Sequence, residues 1–422
     1  MKQLLLLVIL AFGIQNLSAQ PWLKHLPQSK ASYSFYDYQT AFNTYWAPKN
    51  VKNGKYIKDG VSTKAIGWKQ FKRWEYFNED QINPDNGNFP TQTAIEIYNT
   101  AKQNGQIQSL IGNTNTWTSL GTNSSSGGYS GIGRVSCIAF HPTDNNTYWV
   151  GAPAGGLWKT TDNGGAWTCL TDSNNLLGIS SIIIPTDYAT SNTIYIGTGD
   201  RDGWDNRSIG VLKSTDGGAT WNTTGLNYNL NQNRMINKML IDPNNNSIIL
   251  AATNNGLQKT TDGGATWTQL SSTTFIDLEF KPGTFSTLYG STTNGKIYLS
   301  TNSGATWAVK HNSGSRVELA VSPANSNYVY AIIANSSNGL HGIFKSTDSG
   351  NTFTNVYNSS SLMNWKSDGS GTNDGQGWYD LSLAVSPTDI NKVIMGGVIS
   401  HRSTNGGTSW SCSNCWTGSS YY

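Results

Sequence analysis

Thr160-Thr-Asp-Asn-Gly-Gly-Ala-Trp167 is the first of six related stretches that decide the fold. The others are Ser214-Thr-Asp-Gly-Gly-Ala-Thr-Trp221, Thr260-Thr-Asp-Gly-Gly-Ala-Thr-Trp267, Ser300-Thr-Asn-Ser-Gly-Ala-Thr-Trp307, Ser346-Thr-Asp-Ser-Gly-Asn-Thr-Phe353 and Ser403-Thr-Asn-Gly-Gly-Thr-Ser-Trp410. Their third residues are Asp162, Asp216, Asp262, Asn302, Asp348 and Asn405, so the intervals are 54, 46, 40, 46 and 57 residues. A repeat of that size suits four-stranded propeller blades with loops of variable length. The third residue's side-chain oxygen accepts backbone N–H groups inside a tight turn. Glycine supplies positive φ there, and the closing aromatic (Trp167, Trp221, Trp267, Trp307, Phe353, Trp410) buries its ring under the turn. Asn at 302 and 405 shows that a neutral oxygen serves as well, which points to structural turns rather than to catalytic or calcium sites.

A second landmark keeps step with the first. Short apolar runs end before Pro142, Pro185, Pro243, Pro282, Pro323 and Pro387, and a second apolar run follows each polar turn. The predicted order in each blade is strand, Pro turn, strand, loop, strand, eight-residue turn, strand. Two insertions break the spacing: Gly197–Ser208, and the stretch from Asn358 to Asp380. By strand parity both fall on the face opposite the six turns, and insertions gathered on one face of a repeat array mark a binding face. Trp117-Thr-Ser-Leu120 repeats the wording of a last strand, so it reads as the closing strand of a seventh blade. Only twelve residues follow Trp410, so the expectation is a propeller of six recognisable blades, seven when complete, over 113–422 and truncated at its C-terminus.

The rest of the chain is different in kind. Residues 1–20 read as a secretory signal peptide, with Lys2, an apolar stretch from Leu4 to Phe12 and small residues at Ser18-Ala19. Residues 21–112 read as a short, mainly helical N-terminal or pro-segment, with near-helical apolar spacing in Ser34–Trp46, Gly67–Phe77 and Thr91–Gln103. Residues 21–110 hold eleven Lys and Arg against seven Asp and Glu. A formal net charge of +3 over 422 residues, without a basic run, argues against a nucleic-acid partner. No later apolar stretch is long enough to span a bilayer. The expected location is therefore secreted or cell-surface, with an extracellular protein or glycan as partner and no cofactor.

The eight-residue pattern is that of the Asp-box, or bacterial neuraminidase repeat, and the resemblance covers about 117–410. It implies an all-β Asp-box propeller of the kind found in sialidases, xyloglucan-degrading endoglucanases, photosystem assembly factors and sortilin-type ectodomains. Gly197-Thr-Gly-Asp-Arg201 and Gln376-Gly-Trp-Tyr-Asp380 resemble secreted multi-repeat proteins of Bacteroidota, which are exported through a C-terminal sorting domain of the type IX system. The catalytic features of the enzymes do not carry over. No Arg-Ile-Pro occurs, and no acid stands near Ala152–Gly156, where xyloglucanase-type propellers place a first-blade carboxylate. Glu279 and Glu318 are the sole Glu residues in 111–422, and both lie inside repeated strand segments.

The strongest polar constellation is Asp200-Arg-Asp-Gly-Trp204-Asp205-Asn-Arg207. Glycosidic cleavage needs two carboxyl groups about 5 to 9.5 Å apart. Asp200, Asp202 and Asp205 are candidates for one, and Asp368, Asp374 or Asp380 for the other. Arg201, Trp204, Arg207, Trp365, Trp378 and Tyr379 are the candidate ligand-binding residues. The alternative is that Asp200 pairs with Arg201 and Asp205 with Arg207 simply to hold the loop. Separation of blades two and six counts against convergence of the two insertions. The acids match no calcium-loop spacing and no metal is expected. Cys137 should be free, and Cys412 and Cys415 are the one pair expected to bridge locally. The balance favours a sortilin-like binding module, leaning away from an enzyme; the alternative is a glycoside hydrolase or polysaccharide-binding relative of xyloglucanases.

Overall fold

A computed structural model describes residues 20–30, 32–92, 94–106, 133–172, 178–358, 362–364 and 373–414. These fall into two compact units, the first ending at Gln92 with Asn229–Asn231 grouped with it. The strand proposed at 117–120 lies outside the described residues, as do Trp365, Asp368 and Cys415.

The first unit contains helices Phe35–Trp46 and Trp68–Glu79. Ser34 starts the former with a capping box: its hydroxyl accepts from Asp37 N, and the Asp37 carboxylate accepts from Ser34 N. Trp22, Phe42, Trp46 and Phe71 form its aromatic core, with Phe42 and Phe71 stacked 3.9 Å apart. A two-stranded hairpin, Lys55–Lys58 with Val61–Lys64, was not anticipated from sequence. A further helix, Ala94–Gln103, matches the third helical stretch read from the spacing.

Among the described residues the second unit is a propeller of six blades, with four antiparallel strands per blade in chain order. The first strands are Cys137–Phe140, Ile179–Ile183, Ile236–Asp242, Asp277–Lys281, Val317–Val321 and Ser382–Val385, and each packs on the next. Alternation of side chains explains why these strands read as continuous apolar runs, since both faces of a blade are covered. In blade three, Ile249 and Ala251 pack toward blade two, whereas Leu250 and Ala252 pack toward blade four. The faces approach closely: a Cβ on Gly197 would meet Ile236 Cγ2 at 2.6 Å.

First strands leave one edge without a strand partner, and polar side chains from the preceding blade satisfy it. Ser181 Oγ accepts from Met239 N (3.0 Å), Asn237 Nδ2 donates to Phe275 O (2.7 Å), and Asp277 Oδ2 accepts from Leu319 N (2.9 Å).

All six Asp-box turns join the third and fourth strands of their blades. In blade three, Gly264 N donates to Thr260 Oγ1 (3.0 Å), Thr266 N donates to Asp262 Oδ1 (2.9 Å), and Trp267 Nε1 donates to Gly264 O (3.1 Å). Asn302 Oδ1 accepts from Thr306 N at the same 2.9 Å, and Asn302 Nδ2 donates to Thr306 Oγ1 (2.8 Å). Asn405 does the same with Ser409. The four Asp carboxylates are held low by these donors, Asp216 and Asp348 at about 2.

Candidate functional site

Charged residues from several blades meet on the face opposite the Asp-boxes. Arg134 precedes the first strand of blade one, and Asp200, Arg201 and Asp202 stand in the blade-two insertion between its second and third strands. Lys238 lies on the first strand of blade three, Asp277 and Glu279 on that of blade four, and Glu318 on that of blade five. Arg316 immediately precedes the blade-five strand, and Trp378, Tyr379 and Asp380 lead into blade six.

Asp202 and Glu318 share two arginines. Arg316 Nη2 lies 2.8 Å from Asp202 Oδ1 and 2.6 Å from Glu318 Oε1, while Arg201 reaches Asp202 at 3.4 Å and Glu318 at 3.1 Å. Arg134 pairs with Asp200 and lies 3.9 Å from Asp202. Lys238 bridges Asp277 (3.3 Å) and Glu279 (3.2 Å). Arg316 Nη1 donates to the Trp378 carbonyl at 2.8 Å, and the Arg134 guanidinium sits over the Tyr379 ring, 4.6 Å from its centroid.

These contacts bring the two insertions together, which the separation of blades two and six counted against. Arg316 and Arg134 each touch both of them, because the loops reach the channel mouth instead of staying over their own blades. The loop pairing also differs: Asp200 is bound by Arg134, not Arg201, and Arg201 turns across the channel to Glu318. Asp205 and Arg207 are in the same insertion, and burial holds Arg207 low, at about 10. Asp374 accepts from Asn364 Nδ2 at 3.0 Å.

Burial works against the carboxylates. It pushes Asp380 up to about 6, and it pushes Glu279 up to about 7 despite Lys238. Burial also raises Glu318, with Arg201 and Arg316 opposing it. Trp204 and Trp378 remain 53% and 48% exposed at this mouth. Trp204 holds φ +61°, an uncommon conformation for a bulky residue.

Among the described residues no group of three or more His, Cys, Asp or Glu is placed to hold a metal. Cys137 and Cys169 are free thiols, the first pushed up to about 12 by burial. Cys412 is disulfide-bonded. No helix among the described residues is long and apolar enough to cross a membrane.

Sequence reading missed Arg134, Lys238, Asp277 and Arg316. The available signal was charge at alternate positions beside or within the first strands: Asp277 with Glu279, and Arg316 with Glu318.

No family model matches the chain. A xyloglucanase of Paenibacillus sp is 27% identical over 237 residues, covering 54% of this chain and 21% of that protein. A xyloglucanase of Hypocrea jecorina is 26% identical over 221 residues, covering 42% of this chain and 26% of that protein. Among solved structures, the GH74 enzyme of Niastella koreensis aligns with a TM-score of 0.52 at 23% identity, covering 67% of this chain and 45% of the other. The aligned region thus spans about a quarter or less of the curated relatives' length. The chain is a β-propeller related to GH74 xyloglucanases.

Proposed function

We propose that this is an exported polysaccharide-binding propeller that holds an extracellular glycan across the mouth opposite the Asp-boxes. The observation that carries the reading is the pair of exposed indoles, Trp204 and Trp378, flanking a floor of arginine-bound carboxylates. Flat aromatic faces stack on pyranose rings, and the positive φ of Trp204 is the kind of local cost that persists where a side chain must be presented. The relation to xyloglucanases supports a glycan over the protein ligand of a sortilin-type receptor. Asp202 and Glu318 direct their oxygens at Arg201 and Arg316, so both carboxylates are already engaged within the protein, which favours binding over turnover.

The test is a binding isotherm on soluble xyloglucan with the wild type, Trp204→Ala and Trp378→Ala. Each substitution should weaken binding by about 3- to 10-fold, the worth of one aromatic stack. Unchanged affinity in both variants overturns the reading.

A second reading rests on Asp380, which burial keeps partly protonated near neutral pH, as a general acid must be. It requires the wild type to release reducing ends, with activity falling above about pH 6 and lost in Asp380→Asn.

A further inference from the structure

The strongest charge anomaly in the chain lies in the first unit. Residues 49–73 carry eight Lys and Arg against one acid, Asp59, although the whole chain has 28 Lys and Arg to 25 Asp and Glu. The fold concentrates these cations. In the hairpin, Lys55 pairs directly with Lys64, and Lys52 bridges Lys55. Like charges facing each other across a strand pair destabilise it, so a counter-charge from outside is the natural complement. The hairpin lies against the start of helix Trp68–Glu79: Gly54 leaves room for the Lys69 stem, and a Cβ there would meet Lys69 Cε at 2.8 Å. Lys52, Lys55, Lys58, Lys64, Lys69 and Arg73 are all exposed, Lys55 and Lys64 on one face of the hairpin and Lys58 on the other. On the helix side runs a groove of about 330 Å³ lined by Trp68, Lys69, Lys72, Arg73, Tyr76 and Phe77, without an acidic residue in its walls. Tyr76 is 75% exposed, its ring open to a flat ligand.

We infer that this hairpin–helix surface binds an acidic polysaccharide. Regularly spaced carboxylates or sulfates neutralise these lysines, while Trp68 and Tyr76 offer faces for sugar rings. Lys72 is paired with Glu75 at 2.6 Å, so Lys69 and Arg73 are the cations this groove offers, and their mixture with three aromatics fits a charged sugar better than a neutral one or a purely anionic bilayer surface. The site is built from residues of the first unit alone and does not depend on the function proposed for the propeller.

The experiment uses the full chain with polygalacturonate as probe, neutral xyloglucan as control, and vesicles containing phosphatidylglycerol as the competing surface. Binding to polygalacturonate should fall by roughly 10-fold or more between about 50 and 200 mM salt, because counterions are released from a polyanion. Lys69→Glu with Arg73→Glu should weaken it by a further ~10-fold, and Tyr76→Ala by about 3-fold, at unchanged circular dichroism. Both charge reversals are at exposed positions, and unchanged circular dichroism is the check that the fold is retained. Trp204→Ala and Trp378→Ala should leave this binding unaltered, which separates its failure from failure of the propeller reading. Salt-insensitive binding, full affinity in the charge-reversed variant, or preference for the vesicles overturns the inference.

Discussion

Asp380 shows what burial does to a carboxyl whose neighbouring cations are already engaged. Arg316 bonds Asp202 and Glu318, so burial dominates at Asp380 and raises it from 3.8 to about 6. The sign of the linkage follows. Between those values the folded protein binds more protons than the unfolded chain, so stability is highest in acid and falls as pH rises toward 6. Full weight for the shift is about 3 kcal/mol, and partial exposure of the group reduces this to roughly 1–2 kcal/mol. Asp380→Asn removes the ionisation without changing the shape. The variant should melt above the wild type at pH 7.5 and with it at pH 4; a lower Tm at pH 7.5 would mean that the ionised carboxylate stabilises the fold through Arg316. Glu279, raised in the same direction to about 7, leaves residual pH dependence in the variant.

At the scale of the element, the Asp-box turn depends more on its first residue than on its signature acid. Thr260 is 1% exposed and its hydroxyl receives Gly264 N, whereas Asp262 can be replaced by Asn, as at positions 302 and 405. Thr260→Val should therefore cost about 1–3 kcal/mol, the penalty of a buried amide left without an acceptor. Asp262→Asn should leave Tm nearly unchanged, and the reverse order of the two would refute this account. Such turns were legible in sequence because all their hydrogen bonds close within eight contiguous residues, and their period then imposes the blade order. The N-terminal helices were legible through their apolar spacing, and the Ser34–Asp37 cap emerged with the structure. The hairpin was not: its Asp59-Gly60 turn, with φ of +50° and +77°, is a good two-residue signal. Its strands, Lys-Tyr-Ile-Lys and Val-Ser-Thr-Lys, bury too little apolar surface to show a period of two. The site was half legible. Asp200 to Asp205 form a local cluster on an insertion, but their partners, Arg134 and Arg316, are single charges just before apolar strands far away in sequence. No one-dimensional pattern ties Arg201 to Glu318 across 117 positions.

At the scale of the molecule, a propeller is a chain of interfaces in which each blade packs on its neighbours, and such arrays lose cooperativity when those interfaces are unequal. The ion network supplies the missing long-range coupling: Arg201 and Asp202 of blade two meet Glu318 and Arg316 of blade five, while blades three and four intervene along the chain. Arg316 is its hub, 4% exposed and bonded to Asp202, Glu318 and the carbonyl leading into blade six. Arg316→Met leaves buried acids short of a cation and should cost about 3–5 kcal/mol. Glu318→Gln alone leaves Arg316 paired with Asp202 and should cost less. In the double variant one acid has lost its charge together with its cation, so its cost should fall short of the sum of the singles by about 1–3 kcal/mol. Unfolding should broaden in Arg316→Met, since only the Arg201–Glu318 pair then joins blades two and five, and the single transition should split or lose slope in denaturant. Additive single and double costs with an unchanged slope would show instead that the inter-blade apolar contacts carry the cooperativity alone, and that the charges at the mouth serve the ligand rather than the fold.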